Sequence, residues 1–80
     1  MKLFYLKQEV NNDYDTYSDC VVCAIDEKDA KTIRPDGRPA KETEEDYDTW
    51  APIQFVTVEY IGEAKEGLER GVVCASFHAG

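Results

Sequence analysis

"SDCVVCAID", Ser18 to Asp26, is the stretch on which the reading of this chain turns. Cys20 and Cys23 stand three apart, and Cys74 and His78 follow near the end in "CASFH". These four side chains are either a zinc or redox set or ordinary members of a sheet. Zinc ligands lie about 2.0–2.3 Å from the metal, which brings two sulfurs within roughly 4 Å of each other. On an extended strand rising about 3.3 Å per residue, Cys20 and Cys23 are about 10 Å apart and on opposite faces. Cys74 and His78 share a face, but about 13 Å of strand separates them. The two residues between Cys20 and Cys23 are valines, which resist a tight turn and favour a strand. A thioredoxin-type pair needs a helix starting at its first cysteine to lower the thiol pKa. Here the first helix signal comes only at Asp26. The stretch is therefore predicted to be a strand buried in a sheet, its thiols acting as small hydrophobes. The set Cys20, Cys23, Cys74 and His78 is kept as a minor zinc-binding or redox alternative, and no cofactor is expected.

Working outward, "KLFYLKQEV" before it is rich in strand formers. Phe4 and Leu6 fall on one face, and Leu3 and Tyr5 on the other. "NNDYDTYSD" is dense in Asn, Asp and Ser and is expected to be a connection. Its alternating Asp13, Asp15 and Asp19 suggest a calcium loop. Tyr17, Ser18 and Ala24 then occupy places where such a loop needs an oxygen ligand, a glycine and a glutamate, so the match fails. After the cysteine stretch, Asp26 is placed to cap a short helix, with Asp29 three residues on. Ala30 and Ile33 share its inner face, and Pro35 with Asp36-Gly37 ends it.

"IQFVTVEYIG" has the clearest strand alternation, with Val56, Val58 and Tyr60 on one side. "EAKEGLERG" is a glycine-containing connection, and "VVCASFHA" is a last strand. The expectation is an α+β fold of order β-β-α-(α)-β-β: a four-stranded, mainly antiparallel sheet with one or two short helices on one face. The last two strands are expected to pair with each other. Residues 43–51 fit either a second short helix or an ordered loop pinned by Trp50. At 80 residues the chain makes a single domain, 1–80.

The segment "KETEEDYDTW" concentrates negative charge beside two aromatics. Glu42, Glu44, Glu45, Asp46, Tyr47, Asp48 and Trp50 form the candidate partner-binding set, because aromatics rimmed by charge anchor protein interfaces. The competing reading folds Trp50 and Tyr47 back as lids on the core. Over the whole chain 17 acidic side chains face nine basic ones, a net charge of −8. That balance argues against direct nucleic-acid binding and against anionic membranes, and favours a basic protein surface. No P-loop, dinucleotide fingerprint, nucleophile elbow or His-Glu-x-x-His motif occurs, and the single histidine stands alone, so no enzyme activity is expected. The apolar start "LFYL" is too short for a signal peptide or a span, and three cysteines is an odd count. Both point to a reducing cytoplasm.

Taken in order, "MKLFYLKQEVNNDYDTYSDCVVCAIDEKDAKTIRPDG", then "W", then "VTVEYIGEA" and the ending "GVVCASFHAG" resemble a group of short uncharacterised proteins of tailed bacteriophages and prophages. The resemblance spans nearly the whole chain and supplies no catalytic residues. It implies a bacterial host cytoplasm and an accessory role. The leading expectation is thus a small acidic, non-enzymatic phage or prophage accessory protein. It would bind a host or phage protein with a basic surface, such as a host-defence factor that it inhibits. A nucleic-acid-mimic inhibitor is the alternative within that class, and a homodimer is open because a short sheet exposes edges.

Overall fold

The computed structural model describes residues 1–12, 14–43 and 48–78. Strands β1 (Lys2–Lys7) and β2 (Thr16–Ala24) pair antiparallel, with Phe4 opposite Val22 and Leu6 opposite Cys20. As the alternation requires, Phe4 and Leu6 are buried, while Leu3 and Tyr5 are only half-buried on the other face. β2 starts earlier than the apolar run alone suggests: Thr16 to Asp19 are strand, not connection. The turn before it is closed by Asp15, whose φ of 61° is left-handed, a region that aspartate tolerates.

Helix α1 (Glu27–Lys31) follows and is capped as its sequence demands. The Asp26 carboxylate accepts from the Asp29 N–H at 2.8 Å, and the Asp29 carboxylate accepts from the Ile25 N–H at 3.1 Å. Ala30 and Ile33 are buried against the sheet. The chain then turns through Pro35 and Gly37, whose φ of 79° suits glycine.

Strand β3 (Thr57–Glu63) is shorter than the sequence run. Ile53–Phe55 form a 3-10 turn rather than strand, directly after Pro52. β4 (Gly71–His78) is the last strand. The sheet is four-stranded and antiparallel throughout, in the order β3-β1-β2-β4. The expected β3–β4 pairing does not occur; the two lie at opposite edges. β1 and β2 each take a neighbour on both sides, and β3 joins β1 at one edge. Residues Ala64–Arg70 then cross the end of the sheet, a span of about 14 Å for three strand spacings. On the way the Ala64 N–H donates to the Met1 carbonyl at 3.0 Å.

One face of the sheet is covered. Phe4, Leu6, Cys20, Val22 and Ala24 from the strands meet Ala30, Ile33, Trp50 and Val56 from α1 and the long connection to β3. Each large side chain so buried contributes about 1.5–3 kcal/mol. The cover reaches β1, β2 and β3, and every side chain from Val72 to His78 of β4 is exposed.

Candidate interaction surface

The candidate binding segment belongs to the connection that forms this cover, and its course is set by buried polar groups. Arg34 is 2% exposed. Its guanidinium donates to the carboxylates of Asp36 and Asp48, and the Thr49 hydroxyl donates to Asp36. Burial disfavours the arginine's charge, but its hydrogen bonds to Asp48 and Asp36 outweigh that and raise its pKa. Burial likewise works against ionised Asp36; hydrogen bonds from Thr49, the Arg38 N–H and Arg34 prevail and hold it below the usual carboxylate range. Among the described residues, Arg34 Nε and Nη1 and one Asp48 oxygen have no hydrogen-bond partner. Removing one member of this cluster leaves the others as uncompensated buried charge.

A second polar strap comes from the β1–β2 connection. The buried Gln8 side chain accepts from the Val10 and Asn11 N–H groups and donates to the Asn11 and Tyr17 carbonyls. This presents the Asn11 amide to the carbonyls of Asp48 and Trp50 at 2.7 and 2.9 Å. The Tyr17 N–H adds a bond to the Thr49 carbonyl at 2.8 Å. Residues 48–50 are therefore held on three sides. Gln8, Asn11 and Arg34 were absent from the sequence-based set because polar residues in an acidic chain normally face water. The one available hint was their proximity to turn residues.

The seven candidate binding residues thus divide. Glu42 is exposed, and its carbonyl accepts from the Gln54 amide at 2.9 Å. Asp48 is buried on Arg34, and Trp50, 2% exposed, is in the core. Neither offers its side chain to a partner: the indole is part of the core cluster, and the carboxylate is held by the guanidinium. Glu44, Glu45, Asp46 and Tyr47 lie outside the described residues.

The four zinc-set residues are also separated. Cys20 lies in the core, and burial pushes its thiol up to about 12. Cys23, three residues along the same strand, faces the other side, where its sulfur meets the Met1 sulfur at 4.0 Å and the Leu68 carbonyl at 3.8 Å. Cys74 is exposed. His78 is exposed and meets the Tyr14 ring edge-on, with centroids 5.3 Å apart. Among the described residues, no group of three or more His, Cys, Asp or Glu side chains is placed to hold a metal ion.

Both carboxylates and apolar side chains face solvent. Glu9, Asp26, Glu27, Glu42, Glu59, Glu63, Glu66 and Glu69 are exposed. An open groove between α1 and β3 is lined by Lys2, Phe4, Asp26, Glu27, Tyr60 and Glu63 among others. Tyr60 donates to Glu63 at 2.7 Å, which raises its pKa. At the other edge Val72, Val73 and Phe77 are 40%, 46% and 48% exposed. No described helix is long and apolar enough to cross a membrane.

No protein-family model matches this chain, and neither does any curated protein or solved structure with which it was compared.

Proposed function

We propose that this protein is a small, acidic, non-enzymatic accessory protein of phage or prophage origin. It acts in the bacterial cytoplasm by binding a host or phage protein through a basic surface of that protein, and a host-defence factor is the class of target that suits it. The observation that carries this reading is the placement of charge. The chain carries a net charge of −8; among the described residues, Asp36 and Asp48 pair with the buried Arg34, and Asp29 and Glu9 pair with Arg70 and Lys7 nearer the surface. Around α1, β3 and the Ala64–Arg70 connection, exposed Asp26, Glu27, Glu59, Glu63, Glu66 and Glu69 outnumber exposed Lys2, Lys28, Lys65 and Arg70, which leaves a net negative field. Such a field speeds encounter with a positive partner and disfavours negative ones.

Glu42 is the described member of the acidic segment that remains available, so the binding surface is centred on charge rather than on Trp50. Affinity capture from a bacterial lysate at low and high salt tests the reading. The expected result is a captured protein with a basic face that is released as salt rises, and that a Glu42→Lys variant holds more weakly. Capture that is indifferent to salt and to Glu42→Lys sinks it. Competition by duplex DNA for the captured protein would identify the mimic form of the same function.

A further inference from the structure

We propose that β4 is a hinged strand that gates the buried thiol of Cys20: it swings off β2 about a pivot at Gly71, while β1, β2, β3 and their cover stay folded. The strand is joined to the sheet by backbone bonds and by little else. No side chain of β4 belongs to the hydrophobic core, and every one from Val72 to His78 is exposed. The other edge strand is rooted. Val58 of β3 packs against the core, and Tyr60 meets the buried Phe4 edge-on, with centroids 5.9 Å apart. Backbone pairing is also least regular at β4. The β1–β2 ladder runs without interruption, and the β1–β3 ladder shifts register once. The β2–β4 ladder shifts twice, between Tyr17 and Asp19 and between Val21 and Val22. Each shift leaves an unpaired residue and breaks the run of hydrogen bonds. A segment that buries few apolar groups opens at a lower free energy than the rest of its fold.

The two ends of β4 are fastened differently. Ahead of it, the Arg70 guanidinium donates to both oxygens of Asp29 at 2.8–3.1 Å and to the Thr32 hydroxyl at 3.2 Å. This fork clamps the start of the strand to α1. Gly71 follows with a φ of 144°, a region that glycine enters without strain. A clamped residue next to such a glycine is where a backbone rotation is taken up. At the far end, Phe77 lies against Tyr17 with centroids 4.8 Å apart, and His78 against Tyr14 at 5.3 Å. The Asp15 N–H donates to the His78 carbonyl at 2.6 Å. Phe77, His78 and Tyr14 are exposed, so water competes for these contacts. Opening therefore starts at His78 and stops at the clamp.

The hinge sorts the two buried thiols. Cys20 stands opposite Ala75, in the middle of the moving strand, and its flank meets water when β4 leaves. Cys23 stands opposite Gly71, at the pivot. Its sulfur meets Met1 and the Leu68 carbonyl, which lie on the clamped side of Arg70. Release of β4 alone does not uncover it.

Native-state hydrogen exchange of the whole chain, followed by NMR at urea concentrations below the unfolding transition, tests the hinge. The β4 amides bonded to β2 should open about a hundredfold more often than the β1 amides, with a smaller urea dependence. Phe77→Ala removes the ring that leans on Tyr17; it should raise β4 opening about tenfold and leave β1 unchanged. In the unaltered chain a maleimide should label Cys20 at least about tenfold ahead of Cys23. In Arg70→Ala, Cys23 should rise to the Cys20 rate. Equal opening and equal urea dependence of β4 and β1, or Phe77→Ala acting alike on both, overturns the hinge. Equal labelling of Cys20 and Cys23 in the unaltered chain overturns the gate, and a Cys23 that stays slow in Arg70→Ala overturns the clamp.

Discussion

Val21-Val22-Cys23-Ala24 in β2 and Val72-Val73-Cys74-Ala75 in β4 are the same four residues in neighbouring strands. In β2, three of the four are buried and Val21 is half-buried; in β4 all four are exposed. β2 has a strand on each side, a cover of α1, Ile33 and Trp50 on one face, and Met1 and Leu68 against Cys23 on the other. β4 has one neighbour among the described strands, and its side chains from Val72 to His78 are exposed. Local sequence therefore makes both segments strands, but position in the sheet decides which is core and which is surface. A hydrophobic tetrapeptide contributes to stability only where other groups exclude water from it.

The contrast breaks first if the cover is removed. Trp50→Ala should cost about 3–5 kcal/mol, a large part of the stability of a domain this small, read as a fall in the urea midpoint. A shift near zero would mean that the indole does not shield β2. Next comes thiol access. In the native protein one of the three cysteines, Cys74, should react rapidly with a maleimide or a disulfide reagent, and all three after unfolding. Cys20 and Cys23 should lag by about a hundredfold or more, since they react only through opening of the fold. Rapid labelling of two thiols in the native state would erase the distinction between the strands.

A paired truncation sharpens the comparison within one residue type. Val22→Ala should cost about 2 kcal/mol, and Val73→Ala should stay within about 0.5 kcal/mol at concentrations where the chain is monomeric. Equal losses would show that exposure in β4 is not what it is in this structure. The smallest effect concerns the polar lock on the cover. The Asp36 pKa is lowered in the fold, so its contribution to stability is complete above the ordinary carboxylate pKa of about 3.9. It is lost as pH falls through the lower folded value. Asp36→Asn should accordingly flatten the acid limb of the stability–pH curve below about pH 4, and an unchanged limb would remove Asp36 from the account.

Elements governed by near neighbours were legible in advance. Asp26 caps α1, Ala30 and Ile33 share its buried side, Phe4 and Leu6 alternate into the core, and Cys20 and Cys23 point to opposite faces of one strand. Each follows from a helical or two-residue period that is written within a few positions. The misreadings involve residues far apart in the chain. Ile53–Phe55 looked like strand until Pro52 and the path of the cover made it a turn. β3 and β4 looked like partners until β1 was found between β3 and β2. In the candidate binding segment, Asp48 resembled its neighbouring carboxylates, and only the approach of Arg34 from fourteen residues away marks it as internal.

From the amino-acid order alone came the number of strands, the capped helix, the extended state of the cysteine pair and the strongly negative charge. These rest on torsional preference, on the side-chain period and on simple counting, all of which act locally. The strand order, the burial of Trp50, Arg34 and Asp48, and the opposite fates of two identical Val-Val-Cys-Ala segments were decided by tertiary structure. Exclusion of water depends on what distant parts of the chain bring to a position, and no local pattern encodes it.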